Sequence, residues 1–149
     1  MKIRYFIALV ACFFCMNTFA QKKNQISETE FRTKQQTYMA KKAELTAEET
    51  AKFFPLYFEF QDKKKQINKE AWTIAKKGKN PGTSEAEYEI IIDCFFDNQE
   101  TIAKLEKEYI KKYRELLSNK KIYMVYKAER KFNRNMLKIL QEMEDTDQK

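Results

Sequence analysis

Leu45-Thr46-Ala47-Glu48-Glu49 opens the stretch that decides the fold, and Phe53-Phe54-Pro55-Leu56-Tyr57-Phe58-Glu59-Phe60 follows it directly. Thr46 is a good helix N-cap, and Glu49, three residues on, completes a capping box. Beyond it Phe53, Tyr57, Phe60, Lys64, Ile67, Ala71 and Ile74 recur at alternating steps of four and three. That spacing is one face of a long helix, apolar except for Lys64, whose stem can lie along the face. Pro55 falls inside the run, where it removes one backbone donor and predicts a kink, since the apolar pattern passes through it. No other breaker occurs before Gly78-Lys79-Asn80-Pro81-Gly82, the one clear loop.

The same grammar extends both ways. Upstream, Ser27-Glu28-Thr29-Glu30 is a second capping box and predicts a helix from Glu28 to Ala43. Downstream, Ser84-Glu85-Ala86-Glu87 starts a third helix. Its seam reads Tyr88, Ile92, Phe95, Gln99, Ile102, Glu106, Tyr109, Tyr113 and Leu116. Leu117-Ser118-Asn119 interrupts it and caps a fourth helix through Ile122, Val125, Phe132, Met136, Ile139 and Met143, with a polar tail from Glu142 expected to fray. The expectation is an all-α protein of about four helices in two hairpins. The seams are long for a compact monomeric core, which predicts pairing of two chains along them.

Composition agrees. The 149 residues hold two glycines and two prolines, too few turn formers for a sandwich or a doubly wound sheet. There is no histidine, which excludes Ser-His-Asp and Cys-His catalysis and the commonest metal ligand. Glu48 with Glu49, and Glu85 with Glu87 and Glu89, read as solvated helix faces rather than carboxylate sites. No enzyme activity and no cofactor are expected.

The first twenty residues read as an export signal. Lys2 and Arg4 precede an apolar run from Tyr5 to Met16, and Thr18-Phe19-Ala20 offers small residues where a signal peptidase cuts. Cleavage after Ala20 is expected to leave residues 21–149 as one exported helical domain. Leu9-Val10-Ala11-Cys12 spells a lipobox, but Phe13 and Phe14 follow where polar residues are usual. Removing Lys2 and Arg4 lowers the net charge from +7 to +5. Export argues against nucleic acid as a partner. Lys63-Lys64-Lys65, Lys76-Lys77, Lys111-Lys112 and Lys120-Lys121 are suited to acidic protein chains or anionic surfaces. Cys94 is the single cysteine left after cleavage, and an inert, half-buried thiol is its expected role.

Leu45-Thr46 and Leu117-Ser118 lie 72 residues apart, each a leucine before a hydroxyl cap. Phe53-Phe54 and Val125-Tyr126 follow at equal offsets. In the second copy Lys120 and Lys121 stand where the first has acids, which a helix N-terminus disfavours. On these residues the chain resembles the bacterial LTxxQ-motif family of Spy/CpxP-like periplasmic proteins. Glu49 stands at the usual Gln position of the first copy. Phe53-Phe54-Pro55-Leu56-Tyr57 and Tyr126-Lys127-Ala128-Glu129-Arg130-Lys131-Phe132 resemble segments of its Bacteroidetes members. The resemblance implies long bent helices, an antiparallel homodimer, and a role in envelope stress. Two roles follow from it: ATP-independent chaperoning of partly unfolded envelope proteins, or partnership with a membrane stress sensor or anti-sigma system. The aromatic surplus around Phe54 and Phe58, beside Lys63, Lys64 and Lys65, is the expected client-binding surface.

Overall fold

The computed structural model describes residues 26–147, so the export signal read at residues 1–20 lies outside the described residues. The chain divides into two compact units between Arg32 and Thr33, and the packing described below is that of the second, Thr33–Lys149. Among the described residues four α-helices follow one another: α1 Glu28–Lys42, α2 Ala47–Ala75, α3 Glu85–Leu116 and α4 Asn119–Asp147. A short 3-10 turn, Lys76–Lys79, closes the end of α2. Among the described residues there is no strand. α2 runs through Pro55 unbroken, and α4 continues past Glu142 to Asp147.

The starts are set by local chemistry. Ser27 Oγ accepts the Glu30 N–H at 3.1 Å. Thr46 and Glu49 make the full reciprocal box, with the Glu49 N–H donating to Thr46 Oγ1 at 3.1 Å and the Thr46 N–H to Glu49 Oε2 at 2.8 Å. Ser84 and Glu87 repeat it on α3. α1 ends with Glu44 in the left-handed region, φ 52°, and the Leu45 N–H donating to Ala40 O at 3.0 Å. This is a Schellman-type end with a glutamate where glycine is usual.

Register follows from pairs across the helices. Phe53 lies against Tyr113, Phe60 against Tyr109, and Asn98 donates to Asn68, so α2 and α3 are antiparallel. Glu49 meets Lys121 and Tyr57 meets Glu129, so α2 and α4 run parallel. Both of these pairs are 72 residues apart, the offset of the repeated start signal. The core gathers Met39 from α1 and Ala43 just past its end, Phe53, Phe54, Tyr57 and Phe60 from α2, Tyr109 and Tyr113 from α3, and Leu117, Ile122, Val125 and Ala128 from the second start. Along α2 beyond Phe60, and along α3 before Tyr109, only Ala71 and Ile91 are buried. The far half of this hairpin is therefore a two-helix contact with little else over it.

Candidate functional site

The seam expected on α3 holds at Tyr109 and Tyr113 and fails toward the helix start. Ile91 is buried and Cys94 half-buried, whereas Tyr88, Ile92 and Phe95 are exposed. The reason is geometric. Steps of four and three average 3.5 residues per turn, and a straight helix drifts from that stripe by about 20° per heptad. Tyr88 lies three heptads before Tyr109, whereas Ile91 lies eighteen residues before it, about five whole turns at 3.6. Phe53 and Ala71 on α2 have the same separation, and both are buried. Gly78 lets the tip close down, since a Cβ there would come within 3.2 Å of Ile91 Cδ1. The Tyr88 hydroxyl donates to the Gly78 carbonyl at 3.3 Å.

The stripe that drifts outward is an apolar surface. On α3 Tyr88 is 40% exposed, Ile92 53%, Phe95 45% and Phe96 67%; Ile90, 61% exposed, is on the groove side of the helix, and Trp72 of α2 is 56% exposed. Scattered apolar residues are ordinary on a surface, but this many large ones within one helical stretch are not. Lysines frame the Trp72 ring, with Lys76 Nζ 4.3 Å and Lys79 Nζ 5.6 Å from its centroid. A second feature is an open groove of about 470 Å³ between α2 and α3, floored by Ile67, Ala71, Ile74, Ile90 and Cys94. Glu70, Asp93 and Asp97 lie along it.

The surface expected around Phe54 is corrected. Phe54 is 2% exposed and packs edge-on to Phe53 and Tyr57, because α2 is enclosed on more than one side near its start. Phe58 is half-buried against the same cluster. Lys63 pairs with Glu59 at 2.8 Å and lies over the Tyr109 ring, and Lys64 lies over Phe60. Lys65 is exposed and also has an interaction within the chain. These lysines serve α2 and its core more than an open basic platform.

The motif residues come together as structure. Leu45 packs on the core, Leu117 is in it, and Thr46 caps α2; Ser118 Oγ accepts the Lys121 N–H at 3.3 Å. Glu49 accepts from Lys121 Nζ at 2.8 Å and 2.6 Å, and this contact first, then the Thr46 N–H, holds its carboxyl below the ordinary glutamate range. Lys121 is therefore compensated at its helix start by the acid of the other repeat.

Sequence reading missed the interior polar cluster. The Tyr57 hydroxyl donates to Glu129 Oε1 at 2.7 Å, and Gln61 Nε2 donates to the same oxygen at 3.2 Å. Burial, and then the Glu129 carboxylate, push the Tyr57 phenol far above its ordinary value, so it stays a donor. The signal was present: Glu129 sits 72 residues after Tyr57, in the phase of the repeat. The Tyr113 hydroxyl is buried with no partner among the described residues.

Among the described residues no group of three or more acidic or cysteine side chains is placed to hold a metal ion, and no helix is long and apolar enough to cross a membrane. No family model, curated protein or solved structure matches the chain.

Proposed function

We propose that this protein is exported to the periplasm, dimerises, and acts there as an ATP-independent, chaperone-like binder of partly unfolded envelope proteins. One observation carries the reading: Tyr88, Ile92, Phe95 and Phe96, with Trp72 between Lys76 and Lys79, lie exposed on helices held firmly at their other end. Lysines speed the approach of acidic, partly unfolded chains, and the flat apolar face holds them weakly enough to release them. Resemblance to the Spy/CpxP-like proteins supports the same reading. Neither step calls for a cofactor or bond chemistry.

The test is suppression of aggregation of a chemically unfolded client by residues 21–149 without nucleotide. Suppression should weaken between 0.1 M and 1 M salt, as the Debye length falls from about 10 Å to about 3 Å, yet persist through its apolar part. Ile92→Ser with Phe95→Ser and Phe96→Ser should remove most of what persists while helix content stays unchanged. A wild-type protein that leaves aggregation untouched at stoichiometric excess overturns the proposal. A single stoichiometric membrane protein recovered from envelope extracts would then install the sensor-partner role in its place.

A further inference from the structure

The groove between α2 and α3 has acids along it, and α4 carries their counterpart. Glu89, Asp93 and Asp97 stand at i, i+4 and i+8 on α3, one line of carboxylates of which the last two line the groove. Arg130, Arg134 and Lys138 stand at the same spacing on α4. Each line covers about 12 Å of helix at 1.5 Å per residue. All six side chains are exposed, and none makes a hydrogen bond or ion pair among the described residues. Beside the basic line, Leu137 is 60% exposed. Beside the acidic line lies the apolar floor of Ile67, Ala71 and Cys94. An exposed leucine beside a cationic ladder thus faces solvent in the same chain as an apolar groove with an anionic ladder of equal pitch.

Within one chain the two do not meet. Lys121 and Glu129 tie α4 to the first half of α2, and every residue lining the groove comes from α2 or α3. We infer that the groove receives α4 of a second copy, with Arg130, Arg134 and Lys138 against Glu89, Asp93 and Asp97 and Leu137 over the apolar floor. The contact is reciprocal: each copy offers one groove and one helix, which closes a two-fold dimer with two identical interfaces. Charge ladders set the register and disfavour wrong partners, while Leu137 on the apolar floor adds adhesion. This interface rests on the dimeric reading above and names the surfaces that make it.

The test is the mass of residues 21–149 by light scattering at micromolar concentration and low salt. Two variants are compared, Asp93→Lys with Asp97→Lys, and Arg134→Glu with Lys138→Glu. Each alone sets like charge against like and should weaken self-association by at least about tenfold. Mixed in equal amounts, the reversed groove meets the reversed helix while the unreversed pair also match, so the dimer mass should return. That recovery also shows that both variants are folded. A wild-type protein that is a strict monomer overturns the dimeric reading and this interface with it. A dimer that both variants leave intact overturns the interface alone, as do two monomeric variants that fail to recombine.

Discussion

Glu49 and Lys121 are 72 residues apart in the chain and 2.6 Å apart in the fold. They occupy the fifth position of the two start signals, so the repeat in the sequence is also a contact in space. Glu49 does two things at once, closing the capping box of α2 and neutralising a lysine in the first turn of α4.

Acid should therefore loosen the joint between the hairpins. Glu49 has a carboxyl depressed by the Lys121 hydrogen bond, so the stability it contributes is complete above the ordinary glutamate range. It is lost as pH falls through the lower folded value, because the unfolded chain takes up the proton first. Thermal melts between neutral pH and pH 3 should show Tm falling more steeply for wild type than for Glu49→Gln. The exchange Glu49→Lys with Lys121→Glu offers a sharper check. It keeps the ion pair and moves the acid to the third residue after Ser118, where a capping box can form. The double variant should melt above either single one.

Two tyrosines of one cluster should respond to the same substitution with opposite signs. Tyr57→Phe removes the donor to Glu129 and should cost about 2 kcal/mol, the usual worth of a hydrogen bond to a charged group. Tyr113→Phe removes a buried hydroxyl with no partner among the described residues and should stabilise by about 1 kcal/mol. Urea unfolding of both variants gives the comparison, and a loss on Tyr113→Phe would show that its hydroxyl is satisfied in solution.

The backbone at Glu44 offers a gain. A left-handed conformation costs a residue with a Cβ about 1 kcal/mol that glycine does not bear. Glu44→Gly should raise the unfolding free energy by up to that amount, less the greater freedom of glycine in the unfolded chain. Glu44→Ala, which keeps the Cβ, should bring none of the gain, and denaturant melts of the two variants separate the causes.

Local signals were legible in the sequence, and the summed consequences of helix geometry were not. Ser27, Thr46 and Ser84 mark their helix starts because a capping box is closed by residues three apart, whatever lies elsewhere. The stripe from Phe53 to Ile74 was legible for the same reason. The drift at Tyr88 was not, because its angle accumulates over three heptads and is decided by which end of α3 is anchored, here Tyr109 and Tyr113. Phe54 was misplaced because a face count along one helix says that apolar surface is in surplus, not how many neighbours enclose it. Lys121 was read against its own helix alone, and its partner came from the other repeat.

Phe54 and Phe96 are the two rings that best separate a core reading from a surface reading. Phe54 is 2% exposed among Phe53, Tyr57 and Phe58, and Phe96 is 67% exposed on α3. Phe54→Ala should leave a cavity and cost about 3–5 kcal/mol. Phe96→Ala should stay within about 0.5 kcal/mol of wild type, since an exposed ring gives up little burial on truncation. A dye that fluoresces on apolar surface should bind folded wild type, and its signal should fall in Phe96→Ala with no loss of helix content. Phe54→Ala should show the reverse, lower stability with the dye signal kept or raised. A large stability loss at Phe96 would mean that this ring is covered in solution and that the exposed face of α3 has a constant occupant.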